Sequence, residues 1–350
     1  MNNGLKALRL SSDELGAQGA FAAWQASLPQ FSTDLNGAAM ADFRVEQTAW
    51  LMDSLIVGSG LLAPIRVVRT LSQIGDGYSQ FQFIQSIRGR WTGDADGRAI
   101  EAEEGDTICF DTARPFQVVN TFSNHRFLVV PRDKLPHALV SNPALHGTVL
   151  RSAGNFVLAA HLDALMRCLP ALHEEEAARL TRGTLAILTA ALGEIDDQRL
   201  SKAETQPAQP ALRLRVERYI EHNLASPELT PEAISRDLGI ARSSLYRAFS
   251  PLGGISSFIQ LRRLDTACAL LFHPEEHRSV RELAETLGFE NSATFSKAFR
   301  RRFGCSPREA RGRGTTQSRD TKAMFERWQV ATQPPQQAAQ DRSLVGAESV

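Results

Sequence analysis

One pattern occurs twice in the C-terminal half of the chain. The first copy reads PEAISRDLG-IARSSLYRAF from Pro231 to Phe249, and the second VRELAETLG-FENSATFSKAF from Val280 to Phe299. Each begins with a short helical stretch that ends in Leu-Gly. Thr230 suits an N-cap and Pro231 the first turn, and Ile234 and Leu238 lie four apart on one face. Gly239 supplies a left-handed turn that a Cβ would oppose. Leu245 and Phe249 then form the apolar stripe of a second helix. In the other copy Leu283 and Leu287 pack, Gly288 turns, and Phe295 and Phe299 form the stripe. The two turns are 49 residues apart.

Between the copies, Ile255, Phe258, Leu261, Leu264 and Cys268 recur at helical spacing, so Ile255–Leu271 reads as one connecting helix. A rigid connector would hold the two second helices at a fixed separation. Successive major-groove segments on one face of DNA lie about 34 Å apart, so two such helices constitute a DNA-reading device.

The second copy continues as FSKAFRRRFGCSPREAR. That run, with Arg262, Ala267 and Leu270-Leu271 in the connector, resembles the DNA-binding domain of the AraC/XylS family of bacterial transcription regulators over residues 212–312. The resemblance implies base-edge contacts from the exposed faces of the second helices. These are Arg242, Ser243, Ser244, Tyr246 and Arg247 in the first copy, and Asn291, Ser292, Thr294 and Lys297 in the second. Arg and Lys donate to guanine edges and Asn pairs with adenine. Arg300, Arg301 and Arg302 suit phosphate contact better than base reading. The first copy departs from the family at Ser235, where an Ala usually packs, and at Ser250–Gly254, where Pro251 should end the helix early. The second copy is therefore expected to carry more of the backbone affinity.

Net charge does not announce nucleic acid, since 39 Lys and Arg balance 39 Asp and Glu. Its distribution does: residues 291–312 hold six basic residues against one acidic, which concentrates positive field at the second copy. Four scattered cysteines form no zinc spacing and are expected to be reduced, buried thiols. The N-terminus shows no apolar signal core, and no run approaches the ~18 apolar residues of a membrane helix. These features lead to the expectation of a soluble, cytoplasmic protein without membrane contact.

The N-terminal half has a different texture. Residues 15–32 look helical, with Phe21, Trp24 and Leu28 as a stripe. From Met40 to Pro131 short alternating runs are separated by Gly-Asp, Asp-Gly and Gly-Arg turns, which argues for an antiparallel barrel or sandwich. Gly75-Asp76-Gly77 is a turn without the context of a nucleotide loop. The stretch Gly89–Pro131 resembles the cupin-like sensor domain that precedes AraC-type DNA-binding domains. A metal-binding cupin enzyme would need a His-x-His pair with a later Glu and His, and His125 is the only histidine between residues 40 and 131. It reads as a loop or edge residue. No cofactor or metal is expected.

The fold class is therefore α+β with two domains: a cupin-like β-barrel with flanking helices, then an all-α domain with two helix-turn-helix units. The expected boundaries are 15–200 for effector sensing and dimerisation, 201–211 for a linker, 212–312 for DNA binding, and 313–350 for a disordered tail with a helical turn at Ala323–Trp328. Candidate effector contacts on strands are Trp50, Arg66, Phe83, Gln85 and Trp91, the aromatics among them equally compatible with plain core. An acid, aldehyde or amine of aromatic type is the expected effector, and an inward arginine would suit an acid. Helices at 153–200, with Phe156, Ala160, Leu162, Leu165 and Leu169 as one stripe, either pair subunits or cap the barrel. The resulting expectation is a non-enzymatic, ligand-responsive regulator. Its partners would be double-stranded DNA, a small-molecule effector, RNA polymerase and a second copy of itself, in the role of activator of a catabolic operon. The alternative is a metal-dependent cupin-type enzyme fused to a DNA-binding domain.

Overall fold

The computed structural model describes residues 4–74, 76, 78–140, 142–193, 208–250, 253–271, 276–317 and 321–331. Two antiparallel sheets dominate the N-terminal region. Its strands are β1 (Ala7–Ser11), β2 (Ser32–Asp34), β3 (Val45–Met52), β4 (Leu55–Leu62), β5 (Arg66–Arg69), β6 (Gln80–Arg88), β7 (Trp91–Ala95), β8 (Arg98–Ala102), β9 (Thr107–Asp111), β10 (Phe116–Asn120), β11 (Ser123–Pro131) and β12 (Thr148–Leu150). The larger sheet has the order β1-β3-β4-β11-β6-β9-β12, and the smaller β2-β5-β10-β7-β8. Strand β1 lies before residue 15 and pairs with β3 along its whole length, so the sheet region begins earlier than the sequence suggests.

Tight turns join the strands where residues tolerate positive φ. Asp96 (φ 53°) and Gly97 (φ 83°) close β7 onto β8, the geometry that a two-residue hairpin turn requires. At Gly58 and Gly60 on β4 a Cβ would lie 2.3 Å from the Phe127 ring and from the Glu46 carbonyl respectively, so these glycines permit close strand approach.

Period-2 alternation divides the larger sheet into two faces. One buries Trp50, Met52, Val57, Phe81, Phe83 and Leu128 against helices α4 (Ala153–Cys168) and α5 (Glu174–Gly193). The opposite face meets the smaller sheet across Val45, Leu62, Trp91, Ile108, Phe110, Phe116 and Val118, with Phe21 and Trp24 of α1 (Ser12–Ser27) at one end. Short helices α2 (Leu71–Ile74) and α3 (His137–Val140) lie in the connections. The buried stripe of α4 is Leu158, Leu162 and Leu165, whereas Phe156 is 76% exposed and Ala160 also faces outward. The expected stripe was therefore displaced for its first two members: Leu158 serves where Phe156 was expected.

Two buried arginines belong to the sheets. The Arg69 guanidinium donates to the carbonyls of Gln30, Thr112 and Tyr78 and to the Asp76 carboxylate at 2.5–3.2 Å. Arg132 pairs with Asp111, donates to the Ser79 hydroxyl at 2.7 Å and lies 4.6 Å over the Phe81 ring. Arg69 is fully engaged, whereas Nη1 of Arg132 is buried without a partner.

The C-terminal region is helical: α6 (Ala208–Asn223), α7 (Pro231–Leu238), α8 (Arg242–Phe249), α9 (Ile255–Leu271), α10 (Val280–Thr286), α11 (Ser292–Phe303), α12 (Pro307–Gln317) and α13 (Thr321–Ala331). Helix α6 opens at Ala208, inside the span expected to be linker. Residues 201–207 of that span lie outside the described residues. The tail departs further from expectation. Residues 313–317 continue α12, and Met324, Phe325 and Trp328 of α13 are buried against Ala49, Ile56, Phe127 and Val129 of the larger sheet. Residues 332–350 lie outside the described set. Apolar side chains at i, i+1 and i+4 give α13 a face that needs cover; the helical turn expected at Ala323–Trp328 lies within it, and its docking on the sheet was not expected.

Candidate nucleic-acid interface and interior cavity

Each Leu-Gly motif ends its helix as the residues require. Thr230 accepts from the Ala233 amide at 3.1 Å, and Gly239 (φ 64°) closes α7, after which the Ile240 amide donates to the Ser235 carbonyl at 2.9 Å. Ser279 and Glu282 form a reciprocal capping box at the start of α10, which satisfies two orphan amides. Gly288 (φ 70°) turns the chain into α11. Behind α8 lie Val216, Ile220, Ile234, Leu245, Phe249, Ile255 and Ile259. Behind α11 lie Leu264, Cys268, Leu283, Leu287, Phe295, Phe299 and Phe303.

These cores set the outward faces. Arg242, Ser243, Tyr246 and Arg247 are exposed on α8, and Ser244 is half-buried; Thr294, Lys297, Arg300 and Arg301 are exposed on α11, with Ser292 half-buried. Asn291 is exposed, but its side-chain oxygen caps α11 by accepting from the Thr294 amide at 2.7 Å, so only its amide nitrogen remains to donate. Helix α8 ends at Phe249, whereas α11 runs on through the three arginines to a left-handed Gly304 (φ 73°). Ser235 is buried and its hydroxyl has no partner.

The connector holds the two halves through a residue the sequence reading missed. Arg263 on α9 donates to the carbonyls of Leu224 (3.1 Å) and Ser226 (2.8 Å) on one side and of Gly288 (2.9 Å) on the other. A Cβ at position 288 would lie 2.6 Å from that guanidinium. A single side chain therefore ties the loop before α7 to the turn before α11. The adjacent Arg262 was the visible family marker, and nothing in spacing distinguishes the two.

Arg302 does not face outward with its neighbours. It is nine-tenths buried and makes a two-pronged pair with Asp265 at 2.7 and 2.9 Å, with Asp96 of the β7–β8 turn 3.6 Å away. Asp96 also receives Arg114 at 2.8 Å and approaches Arg262 at 3.5 Å, and Arg262 in turn pairs with Glu221 at 3.2 Å. Arg213 of α6 donates to the Gly97 carbonyl at 3.1 Å. The Asp96-Gly97 turn is thus seated among α6, α9 and α11. Burial alone would raise the Asp96 pKa, but the charges of Arg114 and Arg302 hold it down to about 2. Asp265 goes the other way: burial and the nearby Asp96 charge push it up to about 7 despite its two arginines.

Between the sheets lies a cavity of about 80 Å³. Its walls include Trp24, Gln47, Gln82, Trp91, Phe110, Phe116, His125, Phe127 and Trp328. No charged side chain lines it. Of the five expected effector contacts, Trp91 alone lies on this wall. Trp50 and Phe83 belong to the opposite face under α4 and α5, and Gln85 accepts from Arg126 at 2.9 Å. Arg66 is a partly exposed ion pair with Asp34 at 2.8 Å. His125, read as a loop or edge residue, is buried on β11 with its ring 5.8 Å from that of Trp91. Burial lowers its pKa to about 4.

Cys168 is exposed, contrary to the expectation of buried thiols; Cys109, Cys268 and Cys305 are buried. Among the described residues no three His, Cys, Asp or Glu side chains gather as for a metal ion, and no helix is long and apolar enough to cross a membrane.

These elements define a protein of α+β class, sheet-rich in its N-terminal region and helical in its C-terminal region. Residues 234–313 match a family model described as a helix-turn-helix domain. Over those residues the chain is similar to AraC-type transcription regulators. Transcriptional activator NphR of a Rhodococcus species is 29% identical over 230 residues, 60% of this chain and 63% of its own length. Virulence regulon transcriptional activator VirF of Yersinia enterocolitica is 32% identical over 100 residues, 28% of this chain and 35% of its own. The solved structure of the AraC-like transcriptional activator CuxR shares 25% identity, covers 75% of this chain and 94% of that one, and superposes with a TM-score of 0.48. The chain spans less than two thirds of the length of these curated relatives.

Proposed function

We propose that the chain is a ligand-responsive, sequence-specific DNA-binding regulator of transcription, with two helix-turn-helix units that read duplex DNA. The carrying observation is the pair α8 and α11. Each presents an exposed polar and basic face, and Arg263 on one connecting helix fixes the turns that aim them. In this reading Arg242, Ser243, Tyr246, Arg247, Thr294 and Lys297 meet base edges, Asn291 contributes its amide N–H, and Ser244 and Ser292 support them from half-buried positions. Arg300 and Arg301 anchor phosphates.

The sheets form a barrel-like sensor whose interior cavity admits a small effector. Helices α4 and α5 join two copies, for which the exposed Phe156 and Val157 of α4 offer apolar surface. As an activator the protein would recruit RNA polymerase, and the regulated genes would form a catabolic operon for the effector. The domain division that fits is residues 4–193 with α13 as the sensor and residues 208–317 as the DNA-binding part.

The test is binding of the full chain to the DNA upstream of its own gene, over a salt series. With roughly 6–10 phosphate contacts the affinity should fall by about 10³–10⁵ between 50 and 200 mM salt. Undetectable binding, or binding indifferent to salt and to sequence, would refute the proposal.

A further inference from the structure

The interior cavity holds more information than its position. Its polar groups are Gln47, Gln82, His125 and the indole N–H groups of Trp24, Trp91 and Trp328; the rest of the wall is aromatic and aliphatic. Trp91 is buried and its indole N–H has no acceptor, although a buried donor normally finds one. The Ser123 hydroxyl lies 3.3 Å from His125 Nδ1, and the ring is uncharged near neutral pH. The buried arginines Arg69 and Arg132 lie off this wall, Arg132 over Phe81 on the opposite face of the sheet. A carboxylate or ammonium in this space would lie buried and unpaired, which is prohibitive.

The size of the cavity adds a second constraint. At about 80 Å³ it is roughly half the ~150 Å³ that accommodates a benzene molecule in a protein core. A ring-sized guest is therefore buried here only if one wall withdraws. The strand walls are fixed by ladders on both sides. Trp24 lies on α1 beyond its break at Gly16, and its neighbour Gln25 holds that segment by donating to the Thr33 carbonyl and hydroxyl, both at 3.1 Å. Trp328 rides on α13, which rests on the sheet through Met324, Phe325 and Trp328 and a 5.6 Å contact of Arg327 with the Tyr78 ring. The Trp328 ring lies 6.3 Å from that of Phe127, edge-on.

We propose that the cavity binds an uncharged, ring-sized molecule bearing a hydrogen-bond acceptor for Trp91, and that this molecule takes the place of the Trp328 side chain. Ligand and α13 are then alternative occupants of one space. The inference rests on the sensor reading above but not on DNA binding. It narrows the expected effector to the uncharged members of its class and removes the acids.

The experiment is calorimetry on the full chain with four probes of one ring size: acetophenone, benzamide, benzoate and benzylamine. The first two are expected to bind at least about tenfold tighter than the charged pair, the least that an unpaired buried charge costs. Trp328→Ala should tighten acetophenone about fivefold or more, and Trp328→Phe should fall between it and the native chain. Trp91→Phe loses the N–H but also opens space, so it is read against toluene, which has no acceptor: acetophenone should weaken about fivefold relative to toluene. Benzoate or benzylamine binding as tightly as the neutral probes overturns the inference, as does binding by none of the four. An affinity that Trp328→Ala leaves unchanged or weakens overturns the displacement. Salt-dependent DNA binding by the same samples decides the regulator reading separately.

Discussion

At the residue scale, His146 illustrates how the fold selects a protonation state. Its Nδ1 accepts from the Asp111 amide at 3.1 Å while Nε2 faces the Pro115 carbonyl at 2.9 Å. Only a neutral ring protonated on Nε2 satisfies both. Burial, helped by the Arg114 charge and outweighing Asp111, lowers its pKa to about 4, the same value that burial gives His125. Both values lie below the ordinary 6.5, so the unfolded chain takes up these protons first. Stability should then be complete above pH 6.5 and decline as pH falls to 4, by about 3 kcal/mol for each ring. Urea unfolding at pH 7, 6, 5 and 4 measures this, and a His146→Gln chain should show a shallower decline. Because Asp265 acts in the opposite sense over the same window, the deciding comparison is between chains: a His146→Gln profile parallel to the native one would show that this ring is not held neutral.

The outward residues make separable predictions. Arg247→Ala and Lys297→Ala should relax preference at particular base pairs at a cost of about 1–3 kcal/mol each. Arg301→Ala should weaken all sequences alike. Competition binding against a randomised operator distinguishes the two, and a base-specific effect of Arg301 alone would reverse the assignment. These faces were legible because the apolar stripe of a helix fixes its opposite side. The cavity wall was not. On β6, Phe83 and Gln85 point one way and Gln82 and Ile84 the other, and choosing the wrong parity moves a whole strand to the wrong face. In a sheet buried on both sides, hydrophobicity gives no clue to which parity faces the gap.

At the scale of elements, helix α9 is more than a spacer. Its bounds, Ile255–Leu271, follow directly from the periodicity of its apolar residues. The clamp it carries does not, because Arg263 earns its role from carbonyls far away in sequence. Removing it leaves the Gly288, Leu224 and Ser226 carbonyls without their shared donor. Arg263→Ala should therefore destabilise by about 1–3 kcal/mol and weaken binding to a two-part operator more than to either half alone. Equal losses on whole and half sites would show that Arg263 supports folding without fixing the spacing. Phe299→Ala, deep in the core behind α11, should cost about 3–5 kcal/mol, measured by thermal unfolding. The early end of α8 was readable from Pro251, and the long α11 from its uninterrupted run to Gly304. The buried fate of Arg302 was not readable, since a run of three arginines gives no sign of which one turns inward.

At the scale of the whole molecule, the sheet and helical regions meet through the Asp96-Gly97 turn. Asp96→Asn removes the shared carboxylate from Arg114, Arg262 and Arg302 and should cost about 3 kcal/mol. With its pKa near 2 against an ordinary 3.8, Asp96 stabilises above pH 4 and loses that contribution, roughly 2 kcal/mol, as pH falls to 2. The variant should lack this acid limb in thermal melts. Asp265, with its raised pKa, works in the opposite sense, its contribution declining as pH rises from about 4 to 7.

Helix α13 changes what kind of connection this is. The chain leaves the sheets after α5, builds α6 to α12, and returns to lay α13 on the sheet it left. A domain hung from one end swings like a pendulum, whereas one strung between two piers is a span. Cutting the chain between residues 194 and 207 would leave the two pieces still moored to each other. Unseating α13 would remove one pier without breaking a covalent bond, and the Asp96-Gly97 seat would then carry the reading faces alone.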